Sequence, residues 1–423
     1  MHFIFSFTVL FQRGTIFFES PSCERIKEVE MDRNLKNDLC QKFAIVGSVL
    51  ILFAGTWAQA LEVKPYGRLK FSSITATQKV MSFSKETHSA ITHAGQTAST
   101  PEAQKKYDES ARSTFQTQQS RLGLNVSEGD NLKGKVEIDF VDFNQSTHGA
   151  GNQFRIRQGY IEYGFGDFTL TGGQKWITFS GVVPHTYNIV QASFYSGNSG
   201  FIGQELSLKW NASEAFTLYG ALGARGKNTT ATQTKQELGY LPALTLRGDV
   251  HLGMGLVGFA AIYGKMNNED LDTNTSSTFE DSTSYAYKVF TDLKFSVLNL
   301  KSEIFYGENT EDLALLALAG SNYSNANKRS VQTYGGFLSL STALGEKSSV
   351  WAGYGMAQHN KASEVIAANG LSRNELIRLG ADYAAKENFK FFLELTHFQT
   401  QYVATTDADE KATVAELGMN LTF

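Results

Sequence analysis

Cysteine is almost absent from this sequence, and its two copies, Cys23 and Cys40, both lie near the N-terminus. The chain beyond residue 60 therefore has no disulfide or thiolate chemistry available to it. A basic surplus is absent as well, since 38 Lys and Arg stand against 42 Asp and Glu, giving a net charge of −4. Nucleic-acid-binding domains are usually basic, so this balance argues against nucleic acid as a partner.

Long hydrophobic runs are also missing. The longest apolar run, 43–55, covers about 13 residues and is too short to span a bilayer comfortably as a helix. It follows a basic stretch and precedes a small-residue sequence, which is the order found in secretory signal peptides. The basic residues are Arg33, Lys36 and Lys42, and the small-residue sequence is Ala58-Gln59-Ala60. This pattern predicts a secretory signal, with a short membrane anchor as the alternative.

The predicted signal divides the chain in two. Residues 1–30 do not fit a signal peptide, so translation is predicted to start at Met31. Cleavage is predicted after Ala60. Residues 1–60 are then an N-terminal extension plus signal peptide, and residues 61–423 form a single mature domain.

Proline is scarce at 5 copies, whereas there are 38 Gly and 12 % aromatic residues. This composition suits many strands joined by turns. In the segment 131–143, NLKGKVEIDFVDF, charged and apolar positions alternate, so a strand there has one ionic face and one apolar face. Segments of about ten residues with this alternation are the signature of outer-membrane barrel strands. The candidate strands cover approximately residues 64–80, 114–127, 132–144, 153–164, 167–177, 201–211, 215–226, 240–252, 255–266, 283–296, 299–308, 331–344, 348–358, 373–385, 388–401 and 411–423.

The connections between these segments alternate between short and long. The short ones are 128–130, 164–166, 211–214, 253–255, 345–347 and 386–388. The long ones are 81–113, 145–152, 178–200, 227–239, 267–282, 309–330, 359–372 and 402–410. Membrane barrels show this asymmetry, with tight turns at one end and longer outer loops at the other. The predicted fold is all-β: a transmembrane antiparallel up-and-down β-barrel of about sixteen strands, with apolar faces toward lipid and charges toward water inside.

The inward face of the first four strands is rich in charge. Counting alternate positions assigns to it Arg68, Lys70, Arg121, Lys133, Lys135, Arg155 and Arg157, with Glu137 and Asp139 against them, and Glu162 also if the pattern shifts at Gly159. Turn geometry is expected to place Arg121 opposite Glu137 or Asp139, and Arg157 roughly opposite Asp139. One interpretation is a solvated wall whose charges pair across strands and contribute little. The other is that surplus cations create a positive field in a narrow aqueous passage, because low-dielectric walls focus such fields and basic rings favour anions.

The third long connection has an unusual composition. Residues 179–200 contain no Asp, Glu, Lys or Arg and are rich in apolar and aromatic groups, which is odd for a loop in water. We expect this loop to fold into the lumen and narrow it; packing against a neighbouring subunit or over the rim is the alternative. The predicted constriction residues are Pro184, His185, Tyr187, Asn188 and Tyr195. The later outer loops are acidic, and Glu311 and Asp312 are expected at solvated tips that could be bridged to lipopolysaccharide by divalent ions.

Catalytic motifs are weak. A near-match to a phosphate-binding P-loop at 129–136 lacks the hydroxyl residue after its Lys and continues as a strand. No nucleophile elbow occurs, and the histidines have no metal-ligand spacing. We therefore predict no catalytic residue, no metal and no cofactor.

Several motifs resemble those of Gram-negative general porins, and more narrowly of the DcaP-like porins. They are Pro65-Tyr-Gly-Arg-Leu69, Gln119-Ser-Arg-Leu-Gly123, Lys135-Val-Glu-Ile-Asp-Phe140, Phe154-Arg-Ile-Arg-Gln-Gly-Tyr-Ile-Glu-Tyr163 and Gly172-Gly-Gln-Lys-Trp-Ile-Thr-Phe179. The resemblance implies a homotrimer of sixteen-stranded barrels, an inward third loop and uptake of small, often anionic solutes.

The function expected from these observations is a non-enzymatic, passive diffusion channel of the bacterial outer membrane, with anion preference. Its expected partners are outer-membrane lipid, lipopolysaccharide and small solutes. Two alternatives remain open: a non-conducting structural or adhesive barrel, and an outer-membrane barrel hydrolase.

Overall fold

The chain forms two compact units, residues 1–60 and 61–423. In this computed structural model the described residues are 8–12, 15–19, 61–80, 101–117, 119–140, 154–187, 193–223, 242–268, 280–321, 323, 329–366, 370–403 and 410–423. In the first unit, β1 (Thr8–Gln12) and β2 (Thr15–Glu19) pair as an antiparallel hairpin.

The second unit is a closed barrel in which β3 to β19 follow one another in chain order, and β19 pairs with β3 to close the wall. Its strands are β3 (Glu62–Ala76), β4 (Arg112–Gln116), β5 (Arg121–Glu128), β6 (Leu132–Asp139), β7 (Arg155–Phe165), β8 (Phe168–Trp176), β9 (Ile202–Ser213), β10 (Phe216–Gly223), β11 (Ala243–Leu252), β12 (Gly255–Asn268), β13 (Glu280–Lys294), β14 (Asn299–Glu308), β15 (Gln332–Leu344), β16 (Ser348–His359), β17 (Leu371–Lys386), β18 (Phe389–Tyr402) and β19 (Glu410–Thr422). Short helices occur at α1 (Glu102–Asp108), a 3₁₀ turn (Thr310–Leu313) and α2 (Ala362–Val365). None of the helices among the described residues has the length and apolarity needed to cross a membrane.

One position in the wall is an interrupted strand. β4 pairs with the second half of β3, and β5 pairs with its first half, so the two pieces occupy one place and the barrel has sixteen strand positions. The break is bridged by Ser120, whose hydroxyl accepts the Lys70 N–H at 3.0 Å and donates to the Lys70 carbonyl at 3.2 Å. Gln119 adopts a left-handed backbone with φ of 68° at this point.

The predicted fold class is confirmed, including the parity of the connections. Tight turns join β5 to β6, β7 to β8 and the later pairs up to β17 and β18, and longer segments join the strands at the other end. Gly166 and Gly345 lie in two of these turns at φ of 58° and 72°, values that favour glycine. Closure of the wall pairs its backbone groups between strands, as a hydrocarbon surrounding requires.

The apolar faces of the strands point outward, as expected. On β6, Val136 is 50 % exposed, whereas Glu137 and Asp139 on the opposite face are 4 % and 1 % exposed. Aromatic rings stack along the outside near two short turns, in the order Tyr163, Phe165, Phe168 and Trp210. Aromatic girdles of this kind lie at the two interfaces of a membrane barrel.

The interior holds buried apolar clusters where connecting segments pack against the inner wall. One cluster joins Phe179 and Val182, from the segment between β8 and β9, to Phe290 and Phe337 on the wall. The same cluster contains Leu315, from the segment between β14 and β15. Residues of both segments therefore pack against inward-facing side chains of the wall.

The expectation that Glu311 and Asp312 lie at a solvated tip is wrong. Asp312 is 1 % exposed and accepts the Tyr323 N–H at 3.2 Å, and Glu311 accepts the Gly320 N–H at 2.8 Å. Backbone donors close to these carboxylates stabilise them in place of water.

Candidate functional site

A row of arginines crosses neighbouring strands on the inner wall. Register pairs Arg68 of β3 with Arg121 of β5, Arg121 with Asp139 of β6, and Asp139 with Arg155 of β7. The pairing of Arg121 with Asp139 follows from the tight turn between β5 and β6, which fixes register. We call Arg68, Arg121, Arg155 and Arg157 the arginine row.

Arg157 joins the row through a β-bulge. Glu137 pairs with Gln158 and Ile138 pairs with Ile156, so Arg157 is the extra residue. A bulge places consecutive side chains on one face, and Arg157 and Gln158 are 2 % and 8 % exposed on the inside. Arg155, rather than Arg157, is therefore the direct cross-strand neighbour of Asp139.

The bulge also sets the face of the following residues. The alternation of inward and outward side chains shifts by one residue at Arg157 and Gln158, before Gly159. As a result, the Glu162 side chain points inward. Thr171 of β8 donates to Glu162 at 3.4 Å.

Charge in the row is only partly compensated. Arg155 binds Asp139 through two contacts, Nε to Oδ1 at 3.1 Å and Nη2 to Oδ2 at 2.7 Å. Arg157 lies 3.2 Å from Glu137 and 3.5 Å from Asp139. These two carboxylates face four guanidinium groups, so the row carries two surplus positive charges.

The surplus is concentrated at Arg68 and Arg121. Arg68 donates to the Gln119 carbonyl at 2.9 Å and to Gln119 Oε1 at 3.0 Å, contacts that the strand break makes available. Within the described part of the chain, neither Arg68 nor Arg121 has a carboxylate oxygen within 4.0 Å. Arg121 Nε is buried and has no hydrogen-bond partner there.

The three predicted lysines have different environments. Lys133 is exposed beside the turn between β5 and β6. The Lys135 ammonium lies 4.9 Å from the centre of the Tyr66 ring. Lys70 is buried, pairs with Glu416 at 2.5 Å and donates to the Tyr187 carbonyl, so it fastens a loop to the wall. Lys70 consequently does not add to the surplus charge.

The segment from 177 to 201, here called the β8–β9 loop, follows the inner wall away from β8. Its first arm, 177–187, is held by wall side chains in sequence. Arg247 of β11 donates to the Ser180 carbonyl at 2.7 Å, and Lys301 of β14 donates to the Val183 carbonyl at 3.3 Å. Thr186 then donates to Glu394 of β18 at 2.7 Å, and Lys70 of β3 reaches Tyr187.

Aromatic packing fixes the end of the first arm. The Tyr187 ring stacks on Phe392 with 4.4 Å between centroids, and its hydroxyl donates to Asp382 at 3.2 Å. The His185 ring lies edge-on to Trp351 at 4.6 Å. Burial lowers the pKa of His185 and raises the pKa of Tyr187, and both groups are neutral at pH 7. Pro184 is buried beside them.

The return arm, 193–200, is held by a second set of wall residues. Ser199 donates its N–H and its hydroxyl to Glu303 at 2.8 and 2.6 Å, and Lys288 donates to the Ser199 carbonyl at 2.7 Å. Asn374 donates to the Tyr195 carbonyl at 3.1 Å and to Ser196 Oγ at 2.7 Å. Asn188, between the arms, lies outside the described residues.

Glycines on the wall and in the return arm allow the two backbones to approach each other closely. A Cβ added to Gly355 of β16 would lie 2.1 Å from the Ser196 carbonyl oxygen. A Cβ added to Gly197 would lie 2.0 Å from the Gly336 oxygen. Only glycine fits either position.

The two halves of the inner wall therefore use their charges differently. On β9 to β18 the charged groups pair with each other and bind the β8–β9 loop, as Glu205 does for Lys175 and for the Thr178 N–H. On β3 to β7 the charges of the arginine row are only partly compensated, and residues 179–200 of the loop carry no charged side chain. Among the described residues, no three His, Cys, Asp or Glu side chains are grouped to hold a metal ion.

The sequence reasoning missed the carboxylates that anchor the loop. Glu394 stands between Leu393 and Leu395, and Glu303 stands in the alternating strand β14. The period of two assigns both to the inner face. Their partners come from a loop more than 100 residues away in sequence, so the pattern could not reveal their role.

Comparison with known proteins gives fold neighbours but no sequence family. No protein-family model matches the chain, and no curated protein sequence matches it. The outer-membrane channel DcaP of Acinetobacter baumannii superimposes with a TM-score of 0.67 at 15 % identity, covering 87 % of this chain and 99 % of DcaP. An anion-selective porin from Comamonas acidovorans superimposes with a TM-score of 0.56 at 13 % identity, covering 86 % of this chain and 100 % of that porin. OprB of Pseudomonas putida superimposes with a TM-score of 0.53 at 13 % identity, covering 85 % of this chain and 94 % of OprB.

Closure of the sixteen-position barrel, its apolar outer belt and its charged inner wall define a bacterial outer-membrane β-barrel with the porin fold. The resemblance to DcaP that the sequence motifs indicate is supported at the level of the fold.

Proposed function

We propose that this chain is a passive diffusion channel for small hydrophilic solutes, and that it prefers anions. The observation that carries the proposal is the arginine row, in which Arg68 and Arg121 lack carboxylate partners among the described residues. A positive wall in a passage lined by low-dielectric material raises the local concentration of anions.

The type of cation narrows the solutes that the channel would favour. Guanidinium groups present planar pairs of donors that match carboxylate and phosphate oxygens, whereas an ammonium group acts as a point charge. The row therefore suits carboxylates and phosphate esters of small size. The Comamonas porin, described as anion-selective, supports the idea that this fold can carry such a preference.

The assembly and its surroundings are part of the proposal. We propose a homotrimer, in keeping with the trimer form described for OmpT of Vibrio cholerae, which has a TM-score of 0.52 and 11 % identity to this chain. The outer belt would contact lipid and, at the long-loop end, lipopolysaccharide. Residues 31–60 would direct export and be removed after Ala60. We propose no catalytic activity for the barrel.

Recording from purified protein in planar lipid bilayers tests the proposal. The expected result is stepwise conductance, with a reversal potential under a KCl gradient that corresponds to chloride permeating better than potassium. The complete absence of conductance steps would instead favour the non-conducting structural barrel. A hydrolase would require turnover of lipid or ester substrates by the same preparation.

A further inference from the structure

A second segment enters the barrel besides the β8–β9 loop. Residues 309–321, here called the β14–β15 segment, follow β14 and turn inward. Leu315 is fully buried in the same cluster as Phe179 and Phe290. Leu318 is 1 % exposed, in a cluster with Phe305 and Ala357 of the wall.

The base of this segment is closed by its own hydrogen bonds. Thr310 donates to Ser321 Oγ at 2.8 Å, which joins the two ends. Asn309 Oδ1 accepts the Val331 N–H at 2.9 Å, and its amide donates to the Thr283 carbonyl at 2.9 Å. The segment is therefore a closed loop fixed to β13 and to the start of β15.

The β14–β15 segment binds the return arm of the β8–β9 loop through its backbone. Tyr195 donates its N–H to the Leu316 carbonyl at 2.7 Å, and Gly200 donates its N–H to the Leu315 carbonyl at 2.6 Å. These two bonds lie near the two ends of the return arm. Consecutive carbonyls of one segment thus hold both ends of the other.

Unusual backbone conformations are concentrated at this junction. Ser193 and Tyr195 have φ of 60°, and Ala314 and Leu316 have φ of 54° and 51°. Residues other than glycine rarely adopt such values, and they persist where surrounding contacts determine the conformation. Clusters of this kind occur at binding and switching sites more often than at ordinary connections.

We propose that the β14–β15 segment is a clasp that positions the return arm of the β8–β9 loop and so helps to set the bore of the channel. Glu303 and Asn374 of the wall fix the return arm through side-chain hydrogen bonds, and the clasp fixes it through backbone hydrogen bonds. The effect of the clasp on the bore of the channel rests on the proposed function, whereas its effect on the position of the return arm does not.

The test separates these two parts by using two measurements. In the full chain with Cys23→Ser and Cys40→Ser, Ser196→Cys places a single thiol in the return arm, where Ser196 has no exposed surface. Leu315→Asp puts a charge into a buried apolar site and should release the clasp. The expected result is labelling of Cys at position 196 by a membrane-impermeant maleimide that is faster by at least about tenfold, because the buried thiol is reached only when the arm opens. The mean single-channel conductance should also be higher.

Ala314→Asp is the matched control. It introduces the same charge one residue earlier in the segment, where the side chain is exposed, the N–H bonds the Glu311 carbonyl within the segment, and Asp tolerates the φ of 54°. Its labelling rate should match that of the parent. Barrel formation is checked for every variant by heat-modifiable migration in gels; if Leu315→Asp does not fold, Leu315→Ala replaces it.

Unchanged labelling in a folded Leu315 variant would overturn the clasp, whatever the conductance. Faster labelling in a protein that never conducts would keep the clasp and overturn the channel. Faster labelling with unchanged conductance would overturn the proposed effect on bore.

Discussion

Arg68 and Arg121 lie directly opposite each other on neighbouring strands of the inner wall. Like charges in this position repel each other, and no carboxylate within 4.0 Å of either arginine compensates them among the described residues. The pair is therefore a local cost in stability at a place where a surplus of positive charge serves the proposed function.

Replacing one member of this pair should stabilise the barrel. We expect Arg121→Gln to raise the free energy of unfolding by roughly 0.2–1 kcal/mol, because a like-charge pair is removed. Urea unfolding of the refolded protein in lipid or detergent measures this change. Lys133→Gln, at an exposed lysine beside a turn, serves as the control and should have little effect. A clear loss of stability in Arg121→Gln would mean that the arginine is compensated after all.

The anchoring of the first arm should depend on Glu394. This carboxylate is fully buried and binds Thr186, the Trp351 indole and Arg378. Glu394→Gln leaves the Arg378 guanidinium buried without its charge partner, which should cost about 3–5 kcal/mol in unfolding experiments. The double variant with Arg378→Met should recover part of that loss. Unchanged stability of Glu394→Gln would contradict this role of the ion pair, and a double variant no more stable than the single one would show that the unpaired Arg378 does not cause the loss.

Two glycines on β16 provide a matched pair for the return arm. A Cβ at Gly355 would lie 2.1 Å from the Ser196 carbonyl oxygen, whereas a Cβ at Gly353 would lie 3.4 Å from its nearest neighbour, the Leu338 oxygen. Gly355→Ala should therefore displace the return arm and change the single-channel conductance, and Gly353→Ala should not. The same conductance in both variants would contradict the packing of the arm against β16.

Much of the barrel follows from the sequence because a period of two and the length of a turn are local properties. They predict the strand order and the outward apolar faces, and they place Arg121 opposite Glu137 or Asp139, of which Asp139 is the partner in the structure. The bulge at Arg157 is different, since one inserted residue is visible only when the partner strand is known. The inward course of Glu311 and Asp312 depends on the Gly320 and Tyr323 N–H groups, which no local pattern identifies as partners.

The proposed removal of residues up to Ala60 can be checked directly. Intact-mass measurement of protein isolated from outer membranes should give a chain that begins at Leu61. The double variant Ala58→Arg with Ala60→Arg should not be cleaved, because the enzyme that removes signal peptides requires small residues at these positions. A mature protein that retains residues 31–60 would instead indicate the membrane-anchor alternative.

The role of the arginine row is measured by the reversal potential under a KCl gradient, recorded for the parent and for the double variant Arg68→Glu with Arg121→Glu. We expect preferential chloride permeation in the parent, and a shift toward potassium in the double variant, because four charge units change on one wall of the passage. Identical reversal potentials in two conducting, correctly folded proteins would contradict the assignment of selectivity to the arginine row.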